Sequence, residues 1–149
     1  MIISSARLGE IEINAAEIIT FPDGVIGFPD YKRYVELEFL DGSPLRLLQA
    51  IDAPELAFFI IDPLLFIQDY ELEISDSDMA NLNAEKIEDV MVRAIVTIPE
   101  NPYNMTANLQ GPLVINVNTR LAKQIVNSDQ RYTTKHKVLA DPETSPVSN

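Results

Sequence analysis

Two dense apolar runs constrain this chain more than anything else in it. The first is Val90-Met91-Val92-Arg93-Ala94-Ile95-Val96-Thr97-Ile98, and the second is Leu113-Val114-Ile115-Asn116-Val117. Both are rich in β-branched residues and bounded by Pro and Asn, which is the composition of strands. Runs this continuously apolar predict strands covered on both faces. Pro99-Glu100-Asn101-Pro102-Tyr103-Asn104-Met105 lies between them. It reads as a stiff loop with Tyr103 and Met105 exposed, either an adhesive surface or the ordinary connection of a β domain.

The rest of the chain repeats the theme. Leu8 to Ile13 alternates, with Ile11 and Ile13 on one face and Glu10 and Glu12 on the other. Tyr34 to Phe39 and Tyr70 to Ile74 alternate in the same way, and Glu71 and Glu73 share a face. Each such pattern predicts a half-buried strand. Asp41-Gly42 signals a hairpin leading to a returning strand over Leu45 to Ala50. Leu56 to Ile61 reads as a buried central strand, closed by Asp62-Pro63, and Lys123 to Val126 as a last one. Pro22-Asp23-Gly24 and Gly27-Phe28-Pro29-Asp30 form turns around Val25, Ile26 and Phe28. That apolar loop is either a plug for the open end of a β domain or a contact surface. Ser75 to Asp78 supplies N-cap candidates for one short helix near Asp76 to Leu82. The sum is a mainly β fold: a single-domain, predominantly antiparallel β-barrel-like structure over residues 1–137, with one short helix. Residues 138–149, with Pro142 and Pro146 among Ser, Asp and Glu, read as a disordered polar tail.

Charge narrows the choice of partners. The 149 residues carry a net charge of −12, and it is unevenly spread. Residues 1–118 hold 20 acids and six bases, whereas the remainder holds three acids and five bases. A domain this acidic repels phosphate backbones, so direct nucleic-acid binding is not expected. The charge either aids solubility alone or steers in a basic partner. The longest fully apolar run, Leu56 to Ile61, is far too short for a membrane-spanning helix. The first residues, Met1-Ile2-Ile3-Ser4-Ser5, lack the pattern of a signal peptide, so the expected location is the cytoplasm.

Little of the chain offers catalytic chemistry. There is no Cys, hence no thiolate nucleophile, disulfide or thiolate metal site. His136 is the only histidine, and it sits between Lys135 and Lys137, which disfavour the imidazolium a general base must form. It is expected to be solvent-exposed. One histidine excludes a histidine-rich metal site. Asp69, Glu71 and Glu73 read as a solvated face rather than a calcium site, since no Gly-bearing loop follows Asp76-Ser77-Asp78. The five glycines are scattered and make no phosphate cradle. No cofactor and no metal are expected, and the protein reads as a binding protein rather than an enzyme. A carboxylate pair of glycosidase type remains as an alternative, although the chain has no Trp to form a sugar platform. A generic acidic chaperone-like module is another.

Four segments carry a family resemblance. They are Thr20-Phe21-Pro22-Asp23-Gly24-Val25-Ile26-Gly27-Phe28, Leu48 to Phe58 with Gln49-Ala50-Ile51-Asp52-Ala53-Pro54-Glu55 inside it, Asp62-Pro63, and Asn108-Leu109-Gln110-Gly111-Pro112-Leu113-Val114-Ile115-Asn116. In this order and spacing the chain resembles the FliW-type flagellar assembly factors, over about Ile2 to Thr134. Gln110-Gly111 departs from the family pattern, which is more apolar before the Pro. The resemblance implies a small, non-enzymatic, β-barrel-like protein of the bacterial cytoplasm. It implies two protein partners, flagellin and CsrA, a small RNA-binding repressor of flagellin translation. In that family the free factor binds CsrA away from its RNA surface and relieves repression, until accumulating flagellin occupies the factor and frees CsrA.

Composition suggests where such partners would touch. Glu71 and Glu73 on one side, and Pro99, Glu100, Asn101, Tyr103 and Met105 on the other, combine charge with apolar groups in the manner of interface patches.

Overall fold

The computed structural model describes residues 1–139. Ten strands account for most of the regular structure: β1 Ile2–Ser5, β2 Gly9–Glu12, β3 Ile19–Thr20, β4 Arg33–Glu38, β5 Arg46–Ala50, β6 Ala57–Ile61, β7 Val90–Thr97, β8 Thr106–Asn116, β9 Ala122–Gln124 and β10 His136–Lys137. One α-helix, α1, spans Asp76–Asn81, and four single 3-10 turns join the strands. β1 and β2 form a separate antiparallel hairpin. The other eight make one curled sheet in the order β10-β8-β7-β6-β5-β4-β3, with β9 also paired to β8. All the strand pairs are antiparallel. The curl brings the two edges together at one end: Thr20 of β3 bridges Leu121 in parallel fashion, and the Thr20 amide donates to the Arg120 carbonyl at 2.8 Å. This closure makes the expected barrel-like fold a half-barrel, fastened at one end only.

Both faces of the sheet are covered, which explains why its central runs are continuously apolar. Ile19, Phe21, Tyr34, Leu48, Ile60, Leu113 and Ile115 fill the concave interior with no exposure. Outside, the β1–β2 hairpin lays Ile3 and Ile13 on Val35 of β4. The segment after β6 packs Phe66, Ile67 and Tyr70 over Ile61, Ala94, Val96 and Leu109. Leu82, at the end of α1, packs on Val114 and Ile125. The helix starts where its cap residue predicts: the Ser75 hydroxyl accepts from the Asp78 amide at 3.0 Å. It ends at Leu82, whose carbonyl receives the buried Asn116 side chain at 2.8 Å.

The β7–β8 pair is longer and less regular than the sequence suggests. β8 runs from Thr106 to Asn116, and its register on β7 jumps between Arg93 and Ile95. Arg93 faces Leu113 while Ile95 faces Asn108, so Leu109 to Pro112 bulge out opposite Ala94 alone. The Asn108 side chain holds the bulge, accepting from the amides of Gln110 at 3.1 Å and Gly111 at 2.9 Å. Gln110-Gly111 therefore lies in the bulge, with the Gln110 side chain exposed, Gly111 buried, and the Gln110 carbonyl accepting from the Asn127 amide at 2.8 Å.

Several expectations change. Tyr70 to Ile74 is extended but pairs with no strand. The Asp41-Gly42 connection is not a two-residue hairpin: the loop runs from Phe39 to Leu45, with Gly42 at φ 77°. The apolar loop after Pro22 divides its roles. Val25 is 1% exposed and plugs the interior, whereas Ile26 is 70% exposed and Phe28 stacks edge-on to Phe58 at 5.5 Å. Gly24 is required there, for it has φ 70° and a Cβ would lie 2.5 Å from the Phe28 carbonyl oxygen. His136 is half-buried in β10, opposite Ala107 and 6.1 Å from the Phe66 ring, because the segment after Thr134 returns to pair with β8. The polar tail lies outside the described residues from 140 onward; Val138 still packs on the domain, its amide donating to Met105 at 3.2 Å.

Candidate functional site

The acidic candidates sit on the unpaired extended segment that follows β6. Asp62 caps a 3-10 turn over Pro63–Leu65, its carboxylate accepting from the Leu64 amide at 3.0 Å. The chain then reaches Tyr70, whose hydroxyl donates to the Leu109 carbonyl at 2.9 Å and whose ring lies 4.7 Å from that of Tyr132. Side chains stand in for a strand neighbour here. The Tyr132 hydroxyl accepts from the Glu71 amide at 3.0 Å, and the Asn127 amide donates to the Glu71 carbonyl at the same distance. Beyond that point the alternation holds without a ladder: Leu72 and Ile74 turn toward the domain, and Glu71 and Glu73 face solvent.

Glu71 has company that sequence reasoning missed. Arg131 lies 3.4 Å from its carboxylate, while bonding Asp129 through two nitrogens, at 2.7 Å from Nη2 and 3.1 Å from Nε. The Arg131 guanidinium holds the Asp129 carboxyl below the usual carboxylate range, and Asp129 in turn raises Arg131. Glu73 has no ion-pair partner among the described residues. The only hint of the Arg131 link was sequence charge: the bases concentrate after residue 118, and the acids before it.

The second patch, between β7 and β8, is partly as expected. Pro99, Glu100 and Asn101 are exposed, and Tyr103 is 57% exposed. Asn101 stiffens the loop by accepting from the Tyr103 amide at 3.1 Å, capping a 3-10 turn over Pro102–Asn104. Met105 does not belong to that surface. It is 8% exposed and packs with Ala107, Leu109 and Tyr132, because β8 begins at Thr106 and turns the preceding side chain inward. Tyr132 lies under both patches, touching Tyr70 on one side and the Met105 cluster on the other. No hydrogen bond or ion pair among the described residues joins Glu71 or Glu73 to the Tyr103 loop.

Between the first patch and the outer face of β7 lies an apolar hollow of about 170 Å³, lined by Pro63, Leu64, Leu72, Ile74, Ile87 and Val90 among others. Leu64 and Ile87 stand exposed at its rim. Nothing in the sequence marked these residues, since they come from three separate segments. Catalytic arrangements fare differently. The buried polar side chains among the described residues are Ser5, Gln49, Asn116 and Asn127, none of them acidic. The least exposed ion pair, Glu36 with Arg93 at 2.8 Å, is already compensated. No group of three or more His, Asp or Glu side chains is placed to hold a metal among the described residues. Among the described residues no helix is long and apolar enough to cross a membrane.

Comparison with known proteins places this geometry. The FliW protein family matches residues 2–138. The chain belongs to the FliW family. The flagellar assembly factor FliW of Natranaerobius thermophilus is 44% identical over 145 residues, covering 97% of this chain and 96% of that protein. The FliW of Alkaliphilus metalliredigens is 45% identical over 142 residues, covering 95% and 88%. A crystal structure of the flagellar assembly factor FliW superimposes with a TM-score of 0.87 at 33% identity, covering 95% of this chain and 99% of that one.

The FliW motifs quoted above have a common structural office. Gln49 turns its amide nitrogen onto the carbonyls around Ala50 to Leu56, four of them within 3.2 Å. Asp62 caps its turn, Asn108 holds the bulge, and Asn116 binds the end of α1. Each buried or half-buried polar side chain satisfies backbone groups that the sheet cannot reach.

Proposed function

We propose that this protein is a flagellar assembly factor that works by binding and not by catalysis. It takes two protein partners, flagellin and a CsrA-type RNA-binding repressor of flagellin translation, in the bacterial cytoplasm. Free protein sequesters and antagonises the repressor, so flagellin is made. Accumulating flagellin then occupies the protein and releases the repressor. The observation that carries this reading is membership of the FliW family across residues 2–138, nearly the whole described structure. The site chemistry supports it: among the described residues no Asp or Glu is buried, those not exposed are ion-paired or hydrogen-bonded, and Glu73, without an ion partner there, faces solvent beside apolar surface. Glu71, Glu73, Pro99, Glu100, Asn101 and Tyr103 are the candidate contacts, with Met105 acting from beneath as packing.

Calorimetric titration with each partner, at low and at physiological salt, followed by competition, tests the proposal. Tight binding to both that survives physiological salt, with each displacing the other, is the expected result. Binding that vanishes at moderate salt and shows no partner preference would reduce the protein to a generic acidic module. Binding to neither would end the partner-switch reading.

A further inference from the structure

The geometry points to the hollow between the Leu72–Ile74 segment and β7 as the seat of an extended, basic segment of the partner, which inserts one aliphatic side chain there. Three independent features converge on that occupant. The hollow is apolar and open, with Leu64 54% exposed and Ile87 56% exposed at its rim. Paired with solvent, such a rim is a cost; covered by an anchor side chain, it becomes a binding contribution. The chain that builds it is strongly one-signed. Residues 62–92 hold nine acids and one base, Lys86, and two of the acids are spoken for: Asp78 by Lys123 at 2.6 Å, and Glu71 in part by Arg131. Glu73, Glu85 and Glu88, within two residues in sequence of the lining residues Leu72, Ile74 and Ile87, are exposed without an ion partner among the described residues. An apolar seat built by segments that also display free carboxylates favours an apolar anchor flanked by Lys or Arg, and disfavours an acidic segment.

The third feature decides for an extended segment. Leu72, Glu73 and Ile74 form an extended run whose main-chain amides and carbonyls have no hydrogen-bond partner among the described residues. The residues before it are tied by Tyr132 and Asn127, and the residue after it, Ser75, begins the cap of α1. A segment tied at both ends, with free backbone groups between, is placed to accept an added strand. Main-chain bonds would give affinity, the hollow would set the register, and the carboxylates would select for basic flanks. The assignment of this seat to the CsrA-type repressor rests on the partner reading above, and the seat's charge calls for a basic, extended segment of that protein outside its RNA surface.

The test uses the full chain and purified CsrA-type repressor. Leu64→Ser with Ile87→Ser removes the rim, and Leu40→Ser removes an equally exposed leucine from the β4–β5 loop. All three positions are more than half exposed, so the variants should fold, and circular dichroism checks that they do. The rim pair should weaken repressor binding by about tenfold or more, and the Leu40 control by less than about twofold. Amide hydrogen exchange on the unaltered protein should slow at Leu72, Glu73 and Ile74 when repressor is bound. Binding by the unaltered protein with equal affinity in the folded rim variant, or protection that skips these three amides, would overturn the seat and leave the partner reading standing. No binding by the unaltered protein would remove the partner reading, and the seat's assignment with it.

Discussion

Two stretches of this chain are written almost alike. Tyr34-Val35-Glu36-Leu37-Glu38 and Tyr70-Glu71-Leu72-Glu73-Ile74 each begin with a buried or half-buried tyrosine and alternate glutamate with an aliphatic residue. The first became β4, laddered to β5 from Tyr34 to Glu38 and to β3 at its start. The second pairs with no strand among the described residues. The difference lies in where backbone hydrogen bonds go. β4 has continuous neighbours, so its geometry is set by the sheet, and its Glu36 is carried inward and must find Arg93. The segment at 70–74 is held at one end by Tyr132 and Asn127, and its glutamates stay in water. The phase differs as well: Glu36 stands two residues after Tyr34 and shares its face, whereas Glu71 and Glu73 alternate out of step with Tyr70, so similar composition yields a structural carboxylate in one place and displayed ones in the other.

The sharpest way to break that comparison is to remove the partner of Glu36. Its side chain is 12% exposed and that of Arg93 20% exposed, so Arg93→Met strands a carboxylate in a poorly solvated site. Arg46, 4.0 Å away, recovers part of the loss. A destabilisation of about 2 kcal/mol is expected, read by denaturant midpoint. The same substitution logic at Arg131, which faces Glu71 across solvent, should leave stability almost unchanged. Equal effects at the two sites would mean that the two glutamates are not differently employed.

The leading tyrosines give a second contrast. Burial pushes the Tyr34 phenol up to about 12, from an ordinary value of 10.0. Burial also raises Tyr70, but the Asn127 side chain partly offsets it. The sign follows from linkage. Between pH 10 and about 12 the unfolded chain has lost the Tyr34 proton while the native one keeps it, so stability is intact below pH 10 and falls across that window. Thermal unfolding measured at half-unit steps should show that decline, and Tyr34→Phe should flatten it more than Tyr70→Phe does.

Much of this could be read from the residues, and the remainder fails for definite reasons. Leu56 to Ile61, Val90 to Ile98 and Ser75 to Leu82 announce their structures because local pattern and final environment agree. β3 and β10 are two residues long and take their existence from neighbours remote in sequence, which no local pattern encodes. Tyr70 to Ile74 satisfies every local rule for a strand and lacks only a partner. At the candidate site, Tyr103 was legible because a Pro and Asn loop must stay at the surface. Met105 was not, since its burial depends on β8 starting one residue later. The apolar hollow was invisible because Leu64, Leu72 and Ile87 meet only in three dimensions.

A smaller effect separates the fastening of the 70–74 segment from its display. Tyr132→Phe keeps the ring against Tyr70 and deletes the hydroxyl that accepts from Glu71 and donates to the Asp69 carbonyl at 3.3 Å. The expected loss is about 1 kcal/mol, with faster hydrogen exchange at Glu71 and no change in β4. A change in β4 amides would show that the two segments are coupled through the sheet and that their difference is not local.

The smallest effect on stability should come from reversing the displayed charges themselves. Glu71→Lys with Glu73→Lys alters two exposed side chains, one loosely paired with Arg131 and one unpaired among the described residues, so the unfolding free energy should move by no more than about 0.5 kcal/mol. Binding should respond far more than stability does. If these carboxylates draw in a basic partner, the double variant weakens CsrA-type repressor binding and flattens its dependence on salt, because the steering field near Leu72 has been inverted while the hollow is untouched. Affinity and salt slope are read from the same titration series, which separates the two contributions. A lower affinity with an unaltered slope would assign the loss to a disturbed hollow. Unchanged affinity and slope in the folded variant would remove the glutamate face from the interface, and would make the 70–74 segment as purely structural as β4.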